Sequence, residues 1–263
     1  MMKLSRLACL SAVVLLAACE SYVQTTSGSQ YLKRYETAVG QAPTAVIDAD
    51  IRAAAAVEPI LKFPARIGIA RIESGALSPV PAEEVEIWRT MADELGKDWG
   101  TFLPISPLIT ALAAGAPADP CKTQAACLAE TVRNIRLGAA RQHVDVVLIY
   151  EVFARSETST NPLAVTKLAL IGYFLAPSEN ISADGYAQAV LVDVRNGYTY
   201  GYVDTVTEDA AFAVSTEVNQ WTNQRKTMDR AETKAVAKLA GEVAEMAWRL
   251  RAELAEKRAE ALE

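Results

Sequence analysis

The sequence predicts a mixed α/β fold: a sheet of about five strands with helices packed on it, and a long C-terminal helix. Three observations predict it. An amphipathic helical pattern (Leu128, Val132, Ile135, Ala139) runs straight into Val144–Phe153, which is apolar on both alternations and so reads as a strand covered on both faces. Two alternating segments, Tyr186–Arg195 and Tyr198–Val206, flank Asn196-Gly197, the preferred pair of a two-residue type I′ hairpin turn. Near the C-terminus, Val236, Leu239, Val243, Met246, Leu250 and Leu254 make one apolar stripe at helical spacing.

The chain opens with Lys3 and Arg6, then an apolar run that ends in Leu16-Ala17-Ala18-Cys19. A basic start, a short apolar run and a small-residue cleavage site make a secretory signal. The run is too short for a bilayer, which needs about 20 residues. With Cys directly after the site, the segment resembles the lipobox of bacterial lipoproteins. The resemblance implies removal of residues 1–18, a diacylglycerol on the Cys19 thiol and an acyl chain on its new amino terminus. In enterobacteria an Asp after that Cys implies inner-membrane retention. Glu20 stands there instead, so the implied location is the periplasmic face of the outer membrane. Residues 19–50, rich in Ser, Thr, Gln and Gly, read as an acylated tether, with Tyr31–Glu36 either docking on the body or disordered.

The body follows as residues 51–225. Asp50 caps a short helix through Ala53–Ala56, which Pro59 stops. Ala65–Ile72 reads as a strand around Ile67 and Ile69. Val85, Trp88, Met91 or Ala92, and Leu95 recur at helical spacing, with Gly96 as the residue beyond the helix end. Phe102–Ile105 reads as a short strand, Leu108–Ala114 as one or two helical turns, and residues 164–176 as a further strand. A type I′ turn at Asn196-Gly197 sets Arg195 opposite Tyr198, Asp193 opposite Tyr200 and Leu191 opposite Tyr202. The valines 190, 192 and 194 then face the core, and the tyrosines line a half-polar face. Residues 226–263 form an amphipathic helix packed on the domain, with Lys238–Glu242, Glu245–Arg249, Arg249–Glu253 and Glu253–Lys257 as charge pairs on its polar side. A further strip of Ala237, Gly241, Ala244, Trp248 and Ala255 admits a close neighbour, or the whole helix lies in a groove of its own domain.

Charge and cysteines limit function. Loss of Lys3 and Arg6 with the leader takes the net charge from −6 to about −8. Such a chain has no electrostatic reason to bind nucleic acid, and no polybasic patch for anionic lipid. Its membrane partner is then the bilayer, reached through the acyl chains. Cys121 and Cys127 remain as an even pair, read as a disulfide; two free thiols or a redox pair are the alternatives. Six residues of α-helix span about 9 Å, whereas bridged cysteines need Cα atoms within about 7 Å. Residues 115–127 are therefore expected to be a stapled loop, at most partly helical.

No catalytic or metal-binding motif appears. The single histidine, His143, sits where helix becomes strand; Glu151 interrupts an apolar strand, Lys167 opens the next and Asp193 sits in the hairpin, and the three suit ion pairing if those strands are neighbours. Beyond the acyl groups, no cofactor and no metal are expected. Tyr198, Tyr200, Tyr202 and Trp248 are the candidate partner-binding residues, because tyrosine and tryptophan favour interfaces; for the tyrosines the alternative is burial under a helix.

With the lipobox, the stretches ARIGIARI (65–72), AARQHVDVVLIYEV (139–152) and Gln188–Tyr202 resemble periplasmic lipoproteins of the curli-secretion type, a wider group with a penicillin-binding-protein activator and the N-terminal domain of the Tol–Pal translocation protein. The resemblance covers the body, not the tether or the last helix. It implies a Rossmann-like α/β sandwich that binds another envelope protein, and it transfers no catalytic residue. The expected function is that of a non-enzymatic binding or adaptor lipoprotein in envelope assembly. The alternatives are a homo-oligomeric secretion component and an envelope hydrolase. A membrane pore is disfavoured, because Asp193 and Arg195 lie on the less apolar face of the one long hairpin.

Overall fold

A computed structural model describes residues 21–38, 47–115, 121–160, 179–215 and 220–260. The leader, Cys19, Lys167 and the strand expected over 164–176 lie outside the described residues. The elements in order are β1 (Ser21–Val23), α1 (Gly28–Ala38), α2 (Ala49–Ala55), β2 (Ala65–Glu73), β3 (Ala76–Ser78), α3 (Ala82–Leu95), β4 (Gly100–Pro104), α4 (Pro107–Ala114), α5 (Gln124–Arg141), β5 (Val146–Thr160), β6 (Glu179–Asp193), β7 (Thr199–Ser215) and α6 (Gln220–Glu260). The expected mixed α/β class is present, with seven strands among the described residues against the expected five or so. The strand order is β1-β7-β6-β5-β2-β3, and β4 pairs with β2 beside β3. β5 and β4 both run parallel to β2; all other pairs are antiparallel.

β5 explains why the sheet is buried on both sides at its centre. Val146, Leu148 and Tyr150 face α3 and α6, while Val147 and Ile149 face α5, and all five are buried. That is the two-sided burial expected of an apolar run in a parallel pair. α6 is 41 residues long, about 60 Å at 1.5 Å per residue. Its expected stripe, Val236 to Leu254, is buried against β5, β6 and β7. Several of its charged side chains reach beyond the helix: Lys238 Nζ donates to the Val206 carbonyl, Arg249 to that of Ser21, Lys257 to that of Thr25 and Arg258 to that of Leu61.

Two turns differ from the expected pattern. The two-residue hairpin with both central residues at positive φ is Ser74-Gly75 (φ 52° and 81°), which joins β2 to β3. At Asn196-Gly197 only the glycine has positive φ (80°). There the Asn196 side chain accepts from the Tyr198 N–H and donates to the Glu58 carbonyl, and Asp193 N–H reaches the Tyr198 carbonyl across a four-residue loop. Val192 therefore pairs with Thr199 and Leu191 with Gly201, leaving Tyr200 in a β-bulge. A bulge flips the alternation of the residues beyond it. Tyr198 and Tyr200 consequently lie in the core under α6, and Tyr202 faces the other way.

The expected tether is a correction. Ser21, Tyr22 and Val23 pair with Val203, Tyr202 and Gly201 as the sheet's outermost strand. Three further contacts continue the attachment: Gln24 N–H to the Tyr200 carbonyl (2.8 Å), Thr25 Oγ1 to Glu253 (2.7 Å) and Tyr198 Oη to the Thr26 carbonyl (2.8 Å). The close approach needs Gly201, where a Cβ would stand 2.5 Å from the Tyr22 carbonyl oxygen and 2.7 Å from Met246 Sδ.

Candidate functional site: a half-covered sheet face

The second face of the sheet is covered by α5 over β2, β5 and the turn end of β6; beyond that, no described element packs on it. Residues paired across antiparallel strands share a face, so the register defines what the open part displays. One row runs Tyr22, Tyr202, Val190, Ile149; the next Asp204, Gln188, Glu151; the third Val206, Tyr186, Phe153; the fourth Asp184, Arg155. Tyr22 is 53% exposed, Val206 43%, Tyr202 41% and Phe153 40%. Fractions near half on four large side chains in one patch mark a face left uncovered by the described residues.

The patch is ordered by its own contacts. Phe153 and Tyr186 stack with centroids 5.1 Å apart and planes 10° from parallel. The Arg155 guanidinium lies 5.7 Å and 5.4 Å from the two rings, a cation–π arrangement. Gln188 donates to Glu151 at 3.1 Å. Where the patch meets α5, a shallow cleft of about 200 Å³ is lined by Leu128, Val132, Ile149, Val190 and Tyr202 among others. Aromatic plates with an amide, carboxylates and one guanidinium between them suit the recognition of another protein surface.

Two buried polar clusters lie behind this face, and their geometry suits holding elements together. Arg71, on β2, reaches Glu73 Oε2 (2.8 Å), Glu84 Oε1 on α3 (3.3 Å) and Glu232 Oε2 on α6 (3.5 Å). Tyr150 on β5 donates to the other oxygen of Glu84 at 2.5 Å. Burial pushes the Glu84 carboxyl above the usual carboxylate range, although Tyr150 and Arg71 oppose the shift. Burial also raises Glu232 and Tyr150. In the second cluster, Tyr200 Oη accepts from the N–H groups of Ile60 (3.0 Å) and Leu61 (2.8 Å) and donates to Asp193 Oδ2 (3.0 Å), which Arg195 also holds (2.8 Å).

These placements correct the candidate site. Tyr198 and Tyr200 are 6% and 0% exposed, so neither belongs to a binding surface. Tyr202 is on the open face. Trp248 is 50% exposed on α6, on the opposite side of the sheet, with its ring edge-on to Trp99 at 5.7 Å. The four therefore do not form one surface. Glu151 lies on the open face, Asp193 in the core and His143 exposed after the end of α5 at φ 55°, so the three are not gathered into one cleft. Cys121 and Cys127 are bridged, with Cα atoms 5.2 Å apart; Cys127 lies in the first turn of α5, whose N-cap Thr123 accepts from Ala126 N–H. Sequence reading missed Tyr22, Phe153, Tyr186 and Val206. The available signal was that Tyr186, Gln188 and Val190 share one alternation and Glu151 and Phe153 share another; the register that joins the two comes from the structure.

A second cleft, about 470 Å³, lies between α3 and β4 and is mainly apolar, with Val80, Val85, Trp88, Phe102 and Pro104 in its wall. Among the described residues no helix is long and apolar enough to cross a membrane, and no group of three or more His, Cys, Asp or Glu is placed to hold a metal ion. No protein-family model matches the chain, and none of the curated proteins matches it either.

Proposed function

We propose that the chain is a lipoprotein anchored to the periplasmic face of the outer membrane, and that it binds another envelope protein through the open face of its sheet. The observation that carries the reading is the uncovered row pair Tyr22–Tyr202 and Val206–Tyr186–Phe153. The leader ending at Ala18-Cys19 supports the anchor, and the Cys121–Cys127 bridge suits an oxidising compartment. The separation of Glu151, Asp193 and His143 supports a binding role over a catalytic one.

The test is a photo-crosslinking amino acid placed in the living cell at Phe153 or Tyr202, with Arg89 on α3 as the control. The expected result is a discrete adduct from the face positions only, weakened when Cys19→Ala releases the chain from the membrane. An adduct of twice the chain's mass would transfer the reading to the homo-oligomeric alternative. Equal labelling from all three positions, or none, would overturn the proposed face.

A further inference from the structure

The position of β1 has a consequence for the anchor, and the inference drawn from it rests on the lipoprotein reading. Cys19 is two residues from Ser21, a distance the chain spans in at most about 7 Å. Ser21 has little freedom to move. Its backbone is paired to Val203, its carbonyl accepts from Arg249 at 2.7 Å, and its hydroxyl contacts the same guanidinium. The next residues are held by Gly201, Tyr200, Glu253 and Lys257. A free tether of 30 residues would give a root-mean-square reach of about 30 Å. Here the strand that begins two residues after Cys19 is paired into the sheet edge.

We propose that the β1 edge of the sheet is apposed to the bilayer surface, with the acyl chains of Cys19 holding Tyr22, Tyr202 and Arg249 at the lipid headgroup layer. The occupant is fixed by chain length: lipid attached two residues before Ser21 brings the headgroups against β1, the outermost strand. The side chains there suit it. Tyr22 and Tyr202 are both about half exposed, and tyrosine, with an apolar ring and a polar tip, favours the membrane–water boundary. The net negative charge gives no attraction to anionic lipid, so apposition comes from the covalent chains and their bound strand. The open aromatic face then rises from the membrane, its β5 row three strand spacings, about 14 Å, from β1. A partner bound there must itself lie close to the bilayer.

The experiment uses the full chain purified from membranes, with acylation read by intact mass, reconstituted in phosphatidylcholine vesicles containing a headgroup-quencher lipid. A fluorophore is attached at Tyr22→Cys, at Asp204→Cys as a second position on the same face, or at Arg89→Cys. Arg89 is exposed on α3, which packs on the other face of the sheet against β5, β4 and α6. The expected result is several-fold stronger quenching at positions 22 and 204 than at 89. Inserting about a dozen Gly and Ser residues between Glu20 and Ser21 should abolish the difference. Equal quenching at all positions of an acylated chain would overturn this inference alone. A chain without acyl mass would overturn the lipoprotein reading and the inference with it.

Discussion

Arg249, in the C-terminal half of α6, donates to the backbone carbonyl of Ser21 at 2.7 Å and so ties the last helix to the first strand. Only three residues of β1 pair with β7, and an edge strand that short is weakly held by its ladder alone. Arg249→Ala is expected to loosen β1 selectively. A charge-assisted hydrogen bond at an exposed site contributes about 1 kcal/mol, so amide exchange at Tyr22 and Gln24, whose N–H groups face β7, should accelerate about fivefold. Unchanged exchange there would show that Gly201 and the ladder suffice.

Tyr200→Phe is expected to destabilise the whole domain. The missing hydroxyl leaves the N–H of Leu61 buried without an acceptor, removes the acceptor of Ile60, and takes a donor from Asp193. Orphaned buried groups of this kind cost about 2–3 kcal/mol together. Denaturant unfolding followed by circular dichroism measures it. A loss below the error of the fit would mean water replaces the hydroxyl.

Glu84 gives the chain a specific pH dependence. Its folded-state pKa is raised above the ordinary 4.5, chiefly by burial. The folded state therefore binds more protons than the unfolded state between those two values, and stability from this group falls as pH rises through that window. Glu84→Gln keeps an acceptor for Tyr150 and cannot ionise. Melting temperatures across pH 4 to 8 should decline less steeply with rising pH in the variant. Parallel profiles would contradict the assignment.

Replacing Cys121 and Cys127 with Ser is expected to cost about 2 kcal/mol, the scale for a short closed loop. The effect should concentrate at the start of α5, where Cys127 lies in the first turn, and appear as faster amide exchange over that turn. Loss of structure across the sheet instead would show the bridge to be more than a local staple.

Much of the fold was legible in the sequence because the signals are local. Val144–Phe153 is apolar on both alternations, and the strand there is buried on both faces. Gly96 ends α3 at φ 81°, and the stripe Val236–Leu254 lies against the sheet, as their spacing indicated. The candidate site was less legible. Tyr198, Tyr200 and Tyr202 share an alternation, and an unbroken strand would present them together. The longer loop at Asn196 and the bulge at Tyr200 set them on opposite sides. Nothing local announces a bulge, because it is set by the contacts of Asn196 with Glu58 and of Tyr200 with Asp193, Ile60 and Leu61.

The sequence by itself determined most helices and strands of the body, though not β1, α1 or β3, that the central strand lies inside, and that two cysteines are near enough to bridge. Each depends on periodicity or spacing over a few residues. Tertiary structure alone decided that residues 21–27 are attached to the sheet and to α6 instead of spanning free space, and that Tyr22, Tyr202, Tyr186 and Phe153 come together on one open face. The physical reason is that these outcomes are sums of contacts between residues as far apart as Ser21 and Arg249, each too weak to leave a mark on its own stretch of chain.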